Sequence, residues 1–194
     1  MSALVRTLTF LLVATLACSR GPPVVDDADE LAVVRAVLDA QSAPIAVDAT
    51  AWSFASAKLP GPADRFASVQ KAWELPTAAT AASETLARAL AAHLAPADGT
   101  DAAALPQAWR DAFVAARADA VKKPEARLDA TKLGPRALPP GAKAAAMTFS
   151  RVGFDGGRRH AWVSLDDAFG GAELLFERGG AGWVRVAATL AHYR

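Results

Sequence analysis

His160, Trp162 and Ser164 alternate along one stretch, with Asp155 just upstream of the histidine and Glu173 on the next apolar run. A histidine among carboxylates is the grouping that general acid–base chemistry and metal coordination use. A metal centre takes three or four ligands. Only one histidine is near, so a surface strand position is the competing reading of His160. Ser150 and Ser164 carry nucleophilic hydroxyls, but neither stands in a G-x-S-x-G elbow. Asp26-Asp27 and Asp166-Asp167 are adjacent carboxylates, which point apart on an extended chain and suit caps or turns. Gly156-Gly157 and Gly179-Gly180 lack the strand-to-helix setting of a phosphate loop. His93 stands at helical spacing from Leu86 and Leu90 and reads as a partly buried helix residue, and His192 reads as solvent-facing. The residues therefore assign no catalytic group, no metal ligand and no cofactor. If Ala161, Val163 and Leu165 face a core, then His160, Trp162 and Ser164 face the other way. An aromatic among polar neighbours there is a candidate binding face, and helices laid over that side are the alternative.

A different chemistry is written at Cys18, the only cysteine. Arg6 precedes an apolar run over residues 8–16, and Ala17 is a small residue directly before Cys18. The run is well short of the about 20 residues that cross a bilayer and fits a secretory signal. Ala17-Cys18 matches the end of the lipobox, the processing site of bacterial lipoproteins, whose cysteine is acylated. Thr15 and Leu16 depart from its usual order, in which leucine stands third before the cysteine and a small residue second. The alternative is ordinary cleavage after Ala17, which leaves a free thiol. Each acyl CH₂ buried in the leaflet contributes ~0.8 kcal/mol, so several chains on Cys18 hold firmly. Ser19 after the cysteine, rather than Asp, resembles the sorting signal for the outer membrane. Ser19-Arg20-Gly21-Pro22-Pro23 reads as an extended tether.

Removing the signal leaves a chain of single-domain size. The whole chain carries a formal charge of +1, and losing Arg6 with the signal brings it to neutrality. No basic stripe suggests nucleic acid as a partner, since Lys122-Lys123 and Arg158-Arg159 are short pairs that read as solvated. A single cysteine excludes an intrachain disulfide, so packing must hold the fold. Much of the apolar content is alanine, which leaves five Trp, eight Phe and the Leu and Val residues to build the core.

Residues 27–40 read as a helix in which Asp27 and Glu30 form a capping box, with Leu31, Val34 and Leu38 on one face. Pro44-Ile45-Ala46-Val47 reads as a short extended segment. Phe66, Val69 and Trp73 mark a second helix. Leu86, Leu90 and Leu94 mark a third, capped by Thr80 or Ser83. Trp109, Ala112, Phe113 and Ala116 mark a fourth, with Pro106 in its first turn. After a Gly/Pro-rich loop the period changes to two, with strands over 144–154, 159–165, 172–178 and 183–193 joined by short Gly/Asp turns. The first strand changes phase, with Met147 and Phe149 on one parity and Val152 and Phe154 on the other. A bulge near Ser150-Arg151 would bring all four into one core, and a strand buried on both faces is the alternative.

The motifs Thr148-Phe149-Ser150-Arg151-Val152-Gly153-Phe154-Asp155, Ala161-Trp162-Val163, Gly170-Gly171, Leu174-Leu175-Phe176-Glu177 and Gly182-Trp183-Val184 follow one another at hairpin spacing. In this they resemble the C-terminal sheet of a group of uncharacterised bacterial secreted proteins and lipoproteins. Many members carry a cysteine pair where Asp166-Asp167-Ala168-Phe169 stands here, and residues 52–140 match poorly. The resemblance implies a secreted α+β module and no particular activity.

The sequence thus predicts a signal peptide over 1–17, a tether over 18–25 and one α+β domain over 26–194. Its helical part is 26–132, its loop 133–143 and its sheet part 144–194, a four-stranded antiparallel meander packed on the N-terminal helices. Leu174, Phe176, Val184, Val186 and Leu190 are expected on the packed face, with the third strand inside the sheet. The expected role is a non-enzymatic binding module, anchored through Cys18 to the outer membrane and facing the periplasm. Its expected partner is an envelope protein or a small ligand. A periplasmic hydrolase with a site near His160 is the alternative.

Overall fold

The computed structural model describes residues 22–52, 84–99, 105–167 and 170–193. The predicted signal, Cys18, the start of the tether, the Phe66–Trp73 helix and the Thr80 or Ser83 cap lie outside the described residues, as do the side chains of Leu86, Leu190 and His192.

Three α-helices are described: α1 (Ala28–Asp39), α2 (Glu84–Ala92) and α3 (Gln107–Ala120). The strands are β1 (Ile45–Trp52), β2 (Ala95–Pro96), β3 (Ala126–Arg127), β4 (Ala137–Leu138), β5 (Ala146–Ser150), β6 (Gly153–Phe154), β7 (His160–Asp167), β8 (Gly170–Gly179) and β9 (Gly182–Tyr193). They form one nine-stranded sheet in the order β2-β9-β8-β7-β5-β1-β3, with β4 on β1 and β6 on β7. The class is α+β, but the four-stranded meander on N-terminal helices is corrected. The extended segment at Ile45 enters the sheet interior as β1, parallel to β5 and antiparallel to β3. The loop after Leu133 contributes β4, parallel to β1. β7, β8 and β9 pair antiparallel in sequence, and β8 lies inside the sheet.

Side-chain alternation gives each central strand two buried faces. Ala161 and Val163 of β7, with Leu174 and Phe176 of β8, join the core built on Leu31, Val33, Val34, Val37 and Leu38 of α1. Trp162, Leu175 and Ala187 point the other way, into a second core with Leu90 of α2, Leu94 just past it, and Phe113 and Ala116 of α3. Burying each large aliphatic or aromatic side chain contributes roughly 1.5–3 kcal/mol, so both cores matter to stability.

The phase change in the first strand is resolved by a break between β5 and β6, at Arg151 and Val152. Met147, Phe149, Val152 and Phe154 all join the α1-side core. A second slip lies in β9, where Leu175 pairs with Ala187 but Phe176 pairs with Arg185. That bulge overturns the expected placement of Val184 and Val186. Val184 is 59% exposed, Val186 packs against the α3-side core, and Trp183 takes the place on the α1 side.

Asp27 caps α1 by accepting from the N–H groups of Asp29 (2.9 Å) and Glu30 (3.2 Å). Half of the expected capping box is therefore present. The Glu30 carboxylate goes elsewhere, to the strand break described below.

Candidate functional site

Trp162 and Ser164 do not form an open face, which corrects the candidate binding surface. Trp162 is 0% exposed beneath α3, and Ser164 is buried. Trp162 Nε1 donates to Glu173 Oε2 (2.9 Å), which also pairs with Arg117 Nε (3.1 Å). The Arg117 guanidinium stands 5.6 Å from the Trp162 ring centre. Ser164 pairs with Glu173, and Glu173 with Thr189, so one polar row crosses β7, β8 and β9. The backbone N–H of Ser164 donates to Ser150 Oγ (2.9 Å), and that hydroxyl donates to the Arg151 carbonyl (2.9 Å). Glu173 Oε1 and Thr189 Oγ1 are buried without a hydrogen-bond partner among the described residues. The row is a buried ionic network. The Ser150 hydroxyl is engaged with backbone groups and Ser164 is buried, so neither is aimed at a cleft.

His160 stands at the start of β7, with its side chain 12% exposed. Its Nδ1 lies 2.8 Å from Asp155 Oδ2. Asp155 Oδ1 accepts from the N–H groups of Arg159 (2.8 Å) and His160 (3.1 Å). Partial burial alone would raise the Asp155 pKa, but the His160 ring and these two N–H groups outweigh it and hold the carboxyl below its ordinary value. Glu177 Oε1 is 3.7 Å from His160 Nε2, which is buried and makes no hydrogen bond among the described residues. Catalysis by this dyad would need Nε2 to meet a substrate, and here it faces protein. The pair pins the Asp155–His160 turn. No group of three His, Cys, Asp or Glu residues placed to hold a metal occurs among the described residues.

The Ser150–Phe154 motif is tied down at every residue. Arg151 pairs with Glu30 through Nε (2.8 Å) and Nη2 (3.0 Å), and the Val152 N–H donates to the same carboxylate (2.9 Å). Lys123 Nζ donates to the Val152 carbonyl (2.6 Å), and the Phe154 N–H donates to Asp119 Oδ2 (3.0 Å). Gly153 sits against α3, where a Cβ would run into the Ala116 carbonyl and the Ala120 amide. Phe154 lies beneath the Arg158 guanidinium (4.1 Å) and the Lys123 ammonium (4.8 Å). These contacts satisfy the backbone groups that the strand break frees, so the motif is architectural. Arg158 is likewise not merely solvated, since it pairs with Asp27 (2.8 Å) and Asp29 (3.2 Å). His93 lies just past α2 and is exposed, which corrects its partly buried reading.

Two tryptophans border cavities instead, Trp183 and Trp109. A cavity of about 630 Å³ opens between the C-terminal half of α1 and the sheet. Met147, Leu165, Leu174, Phe176 and Trp183 line it together with Val37, and Gln41, Asp167 and Arg185 supply polar groups. Its size falls within the about 300–1,000 Å³ range of small-molecule sites, and mostly apolar walls with a few polar groups suit one. A smaller cavity of about 320 Å³, beside Leu105 and Trp109, shares Ala97, Asp98 and Arg185 with it. The alternation in the sequence put Leu165, Leu174 and Phe176 on one face. It carried no sign that α1 leaves part of that face uncovered.

No helix among the described residues is long and apolar enough to cross a membrane. Comparison of the chain with protein-family models, with curated proteins and with solved structures finds no match.

Proposed function

We propose that the protein is a lipid-anchored cell-envelope protein, held by Cys18 in the outer membrane and facing the periplasm, whose domain binds rather than catalyses. The small ligand of the expected pair is the better supported, and the observation that carries it is the cavity of about 630 Å³ between α1 and the sheet. Its apolar walls suit a hydrophobic or amphipathic molecule, with Arg185 and Asp167 placed to meet polar ends. The hydrolase alternative has less support, because His160 Nε2 is buried and its neighbours are occupied in holding a turn.

Two experiments test the two halves. Mass analysis of the mature N-terminal peptide from membranes should find Cys18 carrying diacylglycerol and an acyl chain; an unmodified terminus overturns the anchor. Titration of the mature protein with the fluorophore 1-anilinonaphthalene-8-sulfonate should show saturable binding with energy transfer from Trp183. Ala172 lines the cavity and is only partly buried, so Ala172→Trp should fill it. Loss of probe binding in a variant with unchanged far-ultraviolet dichroism supports the site. Undiminished binding removes it.

A further inference from the structure

The fold takes hold of the chain at Pro23. The Arg127 N–H donates to the Pro23 carbonyl (2.7 Å), and the Val25 N–H donates to the Arg127 carbonyl (2.8 Å). Four chain steps lead from the lipidation position, Cys18, to Pro22, with residues 19–21 between them. At full stretch they span at most about 14 Å. One end of the domain is therefore held near whatever Cys18 is attached to.

That end has a definite composition. It gathers the start of α1, the turn after α3 and the Gly156–Arg159 turn, joined by the Arg151–Pro124 and Arg158–Asp27 contacts. Val24 is 39% exposed there, one of two large hydrophobic residues so exposed among those described. Lys122, Arg127 and Arg159 are exposed and make no ion pair among the described residues, whereas Arg158 and Arg178 are tied to Asp27 and Asp29. Asp26 and Glu125 share the end and partly offset these cations. The opposite end begins where Arg136 Nη1 donates to the Gln41 carbonyl (2.7 Å). It lies beyond the 12 residues of α1, about 18 Å away. With a screening length of about 8 Å at physiological salt, only the tethered end can sense a charged surface.

We infer that this end is a membrane-apposed face, with Val24, Lys122, Arg127 and Arg159 resting on the headgroups of an anionic phospholipid bilayer. The inference rests on the lipid-anchor reading. The acyl chains supply the affinity and the three cations set the orientation.

The test uses the mature chain, residues 18–194, coupled through Cys18 to a maleimide-bearing phospholipid in vesicles. Coupling in vitro makes the result independent of cellular acylation, which the N-terminal peptide mass decides separately. Lys122 at the tethered end and Lys143 at the other are both exposed, and a water-soluble acylating reagent reads them by peptide mass. On vesicles of neutral lipid with about one third phosphatidylglycerol, the Lys122 rate should fall at least threefold relative to Lys143. The ratio should return toward that of the free protein on wholly neutral vesicles and in Arg127→Glu/Arg159→Glu. Neither side chain makes a described packing contact, so that variant should fold. Equal rates at the two lysines on anionic vesicles overturn the orientation. Protection that persists undiminished on neutral vesicles, or in the double variant, overturns the role of the cations.

Discussion

The two faces of the sheet are buried by different means. On the α1 side the walls are apolar almost throughout, and the one buried charge among the described residues there, Glu30, sits at the strand break. Part of that side remains open as the cavity. On the α3 side, Arg117, Ser150, Ser164, Asp166, Glu173 and Thr189 are all buried among the hydrophobic residues. The apolar side gains stability from area alone and tolerates an opening. The polar side depends on each charge finding its partner, because an unpaired charge there cannot reach water. The larger of the two cavities described thus lies on the side where losing a contact costs least.

The contrast is broken most severely at Arg117. Arg117→Met leaves the Glu173 carboxylate buried without its cation, and the expected loss is about 3–5 kcal/mol, read as a shift in urea midpoint. Adding Glu173→Gln should restore at least half of that, since an amide oxygen still accepts from Trp162 Nε1 and carries no charge. A double variant as unstable as the single one would mean that Arg117 acts through packing and not through the pair.

Next in size is Gly153→Ala, at the point where the two sides share a backbone contact. The added methyl meets main-chain atoms of α3, which cannot rotate away as a side chain could. The expected cost is about 3 kcal/mol, with a loss of near-ultraviolet signal as α3 lifts from Trp162. Unchanged stability in this variant would show that α3 does not approach β6 so closely.

Overpacking compares the sides directly. Ala187 is fully buried against Trp162 and Leu175, so Ala187→Leu should cost roughly 1–3 kcal/mol. Ala172 lines the cavity, so Ala172→Leu should be neutral or mildly stabilising. Equal penalties, measured by thermal unfolding, would erase the difference in packing between the two sides.

Much of this architecture is legible in the sequence, and the parts that are not share a cause. The period-two pattern of β7 and β8 separates Ala161 and Val163 from Trp162, and the phase change locates the break after Ser150. Both signals are local. The parallel pairing of β1 with β5 joins segments about a hundred residues apart, and nothing in Ile45-Ala46-Val47 names its partner. Arg117 and Glu173 are 56 residues apart, so neither announces the other. Glu30 fits a capping box by spacing, and only the fold reveals that Arg151 and Val152 compete for its carboxylate and win. The β9 bulge exchanges Trp183 for Val184 because one extra residue reverses the side chains before it relative to those after it. His160 and Trp162, singled out as the candidate face, are polar because they complete interior hydrogen bonds. A partner-facing residue would show the same pattern in sequence.

The smallest expected effect lies at the start of β7, where the polar side meets solvent. Asp155 is held below its ordinary pKa in the folded protein, since the His160 ring and two backbone N–H groups outweigh the opposing effect of burial. A carboxyl whose folded pKa is depressed adds stability above its unfolded pKa and loses it as pH falls through the folded value. Asp27, where partial burial is outweighed by Arg158 and the N–H groups of Glu30 and Asp29, behaves in the same way. Stability should therefore be flat near neutrality in both respects and decline once pH drops through the ordinary carboxylate range. Asp155→Asn should flatten part of that acid decline while lowering stability at pH 7. Neither group belongs to the apolar wall of the cavity, so probe binding at pH 7 should survive the substitution. A variant that kept the full acid decline would remove Asp155 as its origin and leave the Asp27 cap of α1 to account for it.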